Sequence, residues 1–166
     1  MNWDRTQTQS NDDRERARDL SHPQRQPPAS ISGIELLQFL GDGAFGEVWI
    51  GLDNNTGRQV AVKFFANRRG LDWAGMAGEV EKLVLLSNDR RIVQLLQVGW
   101  DADPPYFVME YLEQGSLESK ISEQGPLSVT EAVALFAELA QVLRHAHAKG
   151  VLHCDLKPAN VLLDHD

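Results

Sequence analysis

The sequence predicts an α+β fold, with an antiparallel sheet first and helices after it. Three observations predict this. Strand-like segments at 34–40, 47–52 and 59–65 are separated by a glycine-rich turn at 41–46 and by the turn-forming run Asp53-Asn54-Asn55-Thr56-Gly57. Next, 72–87 takes helical periodicity, placing Met76, Glu79, Leu83 and Leu86 on one face. Finally, a long amphipathic helix follows Ser128-Val129-Thr130-Glu131, which has capping-box spacing.

The remaining elements fill in between. Segments 94–100 and 106–111 flank Asp101-Ala102-Asp103-Pro104-Pro105 and read as a hairpin. Segment 115–121 reads as a short helix. The long helix carries Val129, Ala132, Val133, Phe136, Leu139, Val142, Leu143 and Ala146 toward one side, and Gly150 is its C-terminal stop. No internal repeat is present.

Residues 1–30 are expected to be a disordered polar tail. They hold five Arg, five acidic residues and Pro23, Pro27 and Pro28, with Met1, Trp3 and Leu20 as the only large apolar residues. Such a segment buries too little to offset the entropy of ordering. The charges in the tail cancel, so residues 31–166 carry the whole net charge of −8. That balance argues against a general nucleic-acid binder. The single cysteine, Cys154, has no partner for an internal disulfide and fits a reducing, cytoplasmic compartment. No signal-peptide pattern and no apolar run of membrane-spanning length is present in the chain. Sequence beyond residue 166 is left open on this point.

Three segments carry chemistry. Gly41-Asp42-Gly43-Ala44-Phe45-Gly46-Glu47-Val48 has the spacing G-x-G-x-x-G-x-V. Glycines let backbone N–H groups approach phosphates closely. A plain hairpin turn would also use them. A dinucleotide fold needs a helix after the glycines, whereas Val48-Trp49-Ile50 reads as strand. The context therefore favours a strand–loop–strand lid. In Val60-Ala61-Val62-Lys63, alternation puts Ala61 and Lys63 on one face. There a small residue suits an adenine ring beside an ammonium that pairs phosphates. Solvent exposure is the ordinary fate of a lysine, and only the neighbouring motifs argue otherwise. Of the two nearby carboxylates, Glu79 shares a face with apolar residues and is the better partner for Lys63. Glu81, about 200° around the helix axis, points elsewhere.

The third segment is His153-Cys154-Asp155-Leu156-Lys157-Pro158-Ala159-Asn160. One tight loop can turn an Asp, a Lys two residues on and an Asn five residues on toward one phosphate. The Asp takes a proton, the Lys neutralises a transferring phosphoryl group and the Asn holds a metal ion.

With these three motifs in this order, the chain from about Ile34 to Asp166 resembles a eukaryotic-type Ser/Thr protein kinase of bacterial-like character. The resemblance implies a complete small lobe and hinge over 31–112, with an antiparallel sheet and one helix. It implies the start of a helical large lobe over 113–166. It further implies that Leu40, Gly41, Gly43, Gly46, Val48 and Ala61 surround ATP. Lys63, paired with Glu79, would hold the α- and β-phosphates. Met109 would be the gatekeeper, with Glu110-Tyr111-Leu112 as the adenine-reading hinge and Leu162 closing the pocket. Asp155 would be the catalytic base, Lys157 a γ-phosphate contact and Asn160 a Mg2+ ligand. Lys157 before Pro158 is similar to the Ser/Thr branch. A signalling role with a protein substrate follows from the resemblance.

The chain departs from the family pattern twice. Cys154 stands where the family usually has Arg, which pairs with a phosphorylated activation loop. The departure implies activation without loop phosphate. The thiol itself is expected to be a buried structural cysteine rather than a redox sensor. Residues 1–166 also hold no Asp-Phe-Gly triplet, the family's second metal-binding element. The 166 residues alone are therefore expected to be inactive and prone to aggregate, with part of the large lobe's apolar surface uncovered.

Two other readings stand beside this one: a pseudokinase or nucleotide-binding scaffold, and a small-molecule phosphotransferase of related fold. His145, His147, His153 and Cys154 are not expected to bind a metal, because positions two apart on a helix diverge. His153 is expected to brace the catalytic loop. Trp49, Trp73 and Trp100 are expected to be core or surface anchors.

Overall fold

A computed structural model describes residues 25–43, 46–65 and 73–164. Expectations for the tail through residue 24, for the tip of the glycine turn and for the helix start at Asp72 lie outside the described residues. Five strands form one antiparallel sheet: β1 (Ile34–Gly43), β2 (Gly46–Asp53), β3 (Gln59–Phe65), β4 (Leu95–Gly99) and β5 (Tyr106–Glu110). Their order is β1-β2-β3-β5-β4. The helices are α1 (Trp73–Leu86), α2 (Leu117–Gln124) and α3 (Val129–Ala148), followed by a 3-10 turn at Pro158–Asn160.

The sheet has two different faces because β3 alternates strictly. Val60, Val62 and Phe64 go to one side and join Trp49, Val108 and Ile31 in a buried cluster. Ala61, Lys63 and Phe65 go to the other side. There Phe65 and Phe107 pack against Met76 and Val80 of α1, with the two rings 5.3 Å apart. The β2–β3 turn is held by Asp53, whose carboxylate accepts from the Asn55 N–H at 2.8 Å and the Thr56 hydroxyl at 2.8 Å. Gly57 closes that turn at φ 68°, a conformation that glycine reaches without steric penalty. At Gly99 a side chain is excluded for another reason: a Cβ there would meet the Tyr106 ring.

The end of the predicted tail is engaged with the sheet. Ala29 packs against the outer cluster, and Ile31, just past the tail, lies within it.

Both downstream helices begin at capping boxes. Ser128 and Glu131 cap α3 reciprocally, as the spacing predicts. Ser116 and Ser119 do the same for α2. That box is missed in the sequence because its third helical position holds Ser rather than Glu or Gln, so the short helix begins and ends later than 115–121. The C-terminus of α3 is a Schellman motif. The Val151 N–H donates to the Ala146 carbonyl and the Gly150 N–H to the His147 carbonyl, with Gly150 at φ 77°. Ala146 and Val151 then pack with Leu86, at the end of α1, and with Ile92. This small cluster joins the sheet-and-α1 portion to the helical portion. Beside it, the Lys149 ammonium donates to the Leu85 carbonyl at 2.8 Å.

The apolar face of α3 divides in a way the single predicted stripe does not capture. Ala132, Leu139, Val142 and Leu143 are half-buried and Ala146 is buried. Val129 is 82% exposed, Val133 64% and Phe136 67%. The division follows helix geometry. Positions 132, 139, 142, 143 and 146 cover one sector, and 129, 133 and 136 lie to its side.

Next to the joining cluster, the Asp89 carboxylate accepts from the Arg91 backbone N–H, from its Nε and, at 2.7 Å, from its Nη2. The Arg91 side-chain hydrogen bonds hold the Asp89 carboxyl down at about 2. Because the folded value is depressed, Asp89 contributes stability above its ordinary value of 3.8 and loses it as pH falls toward about 2. Asp89→Asn is therefore expected to lower the thermal midpoint most above about pH 5. The gap to wild type should narrow as pH falls toward about 2, where the wild-type Asp89 carboxyl becomes protonated and, like the variant's amide, uncharged. Melting curves of both chains across that range check this, and a gap independent of pH would contradict it.

Candidate functional site

The site begins as a row across the sheet. Strand register places Gly41 opposite Val48, Val48 opposite Lys63 and Lys63 opposite Phe107. The adjacent row runs Ile50, Ala61, Met109, Leu95. Residues facing each other in register share a sheet face. The glycine segment, Val48, Ala61, Lys63 and Met109 are thus gathered on the α1 side by pairing alone.

The Lys63 ammonium lies 2.7 Å from a Glu79 carboxylate oxygen. The Lys63 side chain is only 14% exposed, and that of Glu79 is 37% exposed. The ammonium also lies 5.3 Å from the centre of the Phe107 ring and 5.4 Å from that of Phe65, an aromatic shelf that favours a cation. The sequence gives no sign of this shelf, because a Phe in a strand ordinarily reads as core.

Of the remaining residues predicted to surround a nucleotide, Ala61 is buried. Gly41, Gly46, Val48, Met109, Glu110 and Leu112 are half-buried. Leu40 and Leu162 are exposed. Gly43 lies in β1 opposite Gly46. Glu110 has a further job: its carboxylate accepts from the Gln94 N–H at 2.7 Å, and its own N–H donates to the Gln94 carbonyl. That double contact fixes the end of β5 where the chain leaves the sheet.

The second half of the site is the loop after α3. Buried Val151 and Val161 anchor its two ends, and residues 152–158 between them are exposed. The 3-10 turn at its end is tied to the start of α2. The Leu117 N–H donates to the Val161 carbonyl, the Leu163 N–H to the Gly115 carbonyl, and Ser116 and Leu162 form a β-bridge. This frame brings the predicted residues together. Lys157 Nζ lies 3.0 Å from Asp155 Oδ2. Asn160 Nδ2 donates to the Asp155 carbonyl at 2.8 Å and to Asp155 Oδ2 at 3.0 Å. Two acceptors around one amide end fix its orientation, so the Nδ2 group faces Asp155 and Oδ1 is turned away as an oxygen donor. The Asp155 carboxyl is held below its ordinary value, first by the Lys157 hydrogen bond and then by that of Asn160.

His153 Nδ1 accepts from the Asp155 N–H at 3.3 Å, the loop-bracing contact expected of it. Cys154 corrects the sequence reading. It is exposed rather than buried, because the whole of 152–158 lies outside the core. Its backbone sits at φ 61°, a region a side-chain-bearing residue enters at a cost of about 1–3 kcal/mol. Its thiol lies 3.8 Å from the Leu152 carbonyl. Among the described residues no group of three or more His, Cys, Asp or Glu is placed to hold a metal.

The family model for the protein kinase domain matches residues 34–166. The chain belongs to the protein kinase family. It is 36% identical over 152 residues to CBL-interacting protein kinase 21 of Oryza sativa subsp. japonica, covering 90% of this chain and 29% of that protein. It is 32% identical to CBL-interacting serine/threonine-protein kinase 14 of Arabidopsis thaliana, covering 87% and 34%. It is also 32% identical to sperm motility kinase 2B of Mus musculus, covering 79% and 27%. The chain spans about a third or less of the length of these relatives. Its five-stranded sheet with one packed helix and the helices that follow are those of a protein kinase domain. Among the described residues no helix is long and apolar enough to cross a membrane.

The kinase site's charge pairs support two measurements. Glu79→Gln removes a charge-assisted contact of about 1.5–3 kcal/mol. If this pair serves a nucleotide, as proposed below, the change is expected to weaken Mg-ATP binding by about tenfold, read by titration calorimetry, and unchanged affinity would refute the pairing's role. Lys157→Met removes the first cause of the Asp155 depression. A carboxyl-carbon NMR titration should then show the Asp155 pKa rising toward 3.8.

Proposed function

We propose that this chain carries the ATP site and catalytic loop of a serine/threonine protein kinase, acting on hydroxyls of a protein substrate. The observation that carries the proposal is the Asp155–Lys157–Asn160 cluster. It places a depressed, ionised carboxylate, an ammonium and an outward amide oxygen within one loop. The names of the plant relatives are consistent with it.

In this reading, the Gly41–Gly46 backbone covers the phosphates of ATP, with Ala61, Val48 and Leu40 against the base. Met109, Glu110 and Leu112 line its far edge, and Leu162 closes it from the helical side. Lys63, steadied by Glu79, donates to the α- and β-phosphate oxygens. Asn160 Oδ1 suits a hard cation, which prefers oxygen ligands. A bound Mg2+ would supply charge neutralisation across the phosphate oxygens.

Asp155 orients the substrate hydroxyl and accepts its proton. The oxygen–γ-phosphorus bond forms as the bond to the β-phosphate oxygen breaks, and ADP leaves. Lys157 offsets charge on the transferring group. Catalysis of this kind is mainly positioning and electrostatics. Because Asp155 titrates below the ordinary carboxylate range, it stays ionised through mildly acidic pH. The acid limb of the rate profile should therefore not come from this residue.

Cys154 cannot make a charge-assisted contact to a phosphorylated loop. We therefore infer activity independent of such phosphorylation in the whole protein, and a reducing, cytoplasmic setting for an exposed thiol. The 166 residues alone, without an Asp-Phe-Gly triplet, are proposed to bind Mg-ATP and transfer little phosphate.

Radiolabelled γ-phosphate transfer to a generic Ser/Thr protein by the whole protein tests the reading. Asp155→Asn is expected to reduce it by about 10²-fold or more. Nucleotide binding without transfer by the whole protein would favour the scaffold reading. Transfer to a small aminoglycoside-like alcohol, and not to protein, would overturn the choice of substrate.

A further inference from the structure

Arg25 lies nine residues before the matched kinase domain, yet it reaches both strands beside the glycine turn. Its Nη1 donates to Asp42 Oδ2 at 2.9 Å and its Nη2 lies 3.0 Å from Glu47 Oε1. Its guanidinium carbon lies 4.4 Å from the centre of the Phe39 ring. Phe39 and Asp42 belong to β1, and Glu47 to β2. The planar fork of an arginine can hold two carboxylates and an aromatic face at once, which a lysine cannot.

Two of the three contacts are themselves fixed. Glu47 Oε2 accepts from the Trp49 indole N–H at 3.0 Å. Phe39 stacks edge-on with buried Trp49, with ring centres 5.5 Å apart. Four to six residues after Arg25, Ala29 and Ile31 fasten the segment to the outer core.

The arrangement answers an electrostatic difficulty. Asp42 lies within the glycine segment and Glu47 directly follows it, so two carboxylates border the ground where a polyphosphate would lie. Each opposes an anionic ligand. Arg25 compensates them from the outer side and bridges the ends of β1 and β2.

We propose that Arg25 is a positioning residue of the nucleotide site, clamping the two strand ends beside the glycine turn and offsetting the charge of Asp42 and Glu47. The inference rests on the reading that this segment covers a nucleotide, and it assigns a role in the site to a residue outside the matched domain.

Amide hydrogen exchange on the whole protein decides it. Arg25→Gln should speed exchange at residues 39–42 and 46–48 by about threefold or more at low salt, where exposed ion pairs count most. Exchange at Val62 and Val108 should stay as in wild type, which shows that the variant folds. Arg25→Lys should be intermediate. The Kd for Mg-ATP should rise by about threefold in Arg25→Gln at low salt and converge with wild type at about 1 M salt. Asp42→Asn in the Arg25→Gln background should recover part of that loss.

Wild-type exchange rates at 39–42 and 46–48 in Arg25→Gln would overturn the clamp. Faster exchange with an unchanged Kd would overturn its role in nucleotide binding. If wild type itself fails to bind Mg-ATP, the nucleotide reading falls, while the exchange comparison still decides the clamp.

Discussion

The alternation of β3 is the constraint on which the rest of the structure depends. Seven residues in one strand serve two surfaces with different chemistry. Val60, Val62 and Phe64 fill the outer core, and Ala61, Lys63 and Phe65 face α1. A one-residue slip in register would drive the ammonium of Lys63 into a dry apolar cluster and bring Phe64 to the site. The cost of burying that charge without a partner makes such a slip untenable. The core that fixes the register therefore also fixes where the charge goes. The Glu79 carboxylate then orients the ammonium within that face rather than placing it there.

The loop after α3 is built on an opposite logic. It has almost no core, and its exposed residues 152–158 hang between two buried valines. Its order comes from local hydrogen bonds: Asn160 to Asp155, Asp155 to His153, and Lys157 to Asp155. Polar contacts at such exposure contribute little stability individually. Together they choose one arrangement of three functional groups, which the frame of α2 and the 3-10 turn holds in place. The left-handed backbone at Cys154 belongs to the same bargain, in which local strain is accepted where side chains must be aimed.

Much of this is legible in the sequence. Strand and helix positions follow from period-2 and helical patterning, and the α3 cap and stop from Ser128, Glu131 and Gly150. The pairing of Lys63 with Glu79 follows from which helix face is apolar. What escapes has a physical reason in each case. The Ser116–Ser119 cap uses two hydroxyls, which lack a distinctive spacing signature. The burial of Cys154 is misjudged because cysteine's average preference says nothing about a loop without a core. The divided face of α3 requires knowing which sector meets a neighbour, and that is tertiary information. Arg25 is hidden because a basic residue in a polar, proline-containing tail looks the same whether or not it finds two carboxylates.

The Lys149 contact to the Leu85 carbonyl has a mechanical meaning. The last turn of α1 is held from the other side of the molecule, by that ammonium and by the packing of Leu86 against Ala146 and Val151. Glu79 lies seven residues up the same helix, about 10 Å from that fixed end at 1.5 Å per residue. A rigid rod pinned at one end swings about its pin. A tilt of about 10° would then displace the Glu79 backbone by about 2 Å, enough to part a 2.7 Å ion pair. The joint between the two portions of the chain is thus also the fulcrum of the lever that carries Glu79.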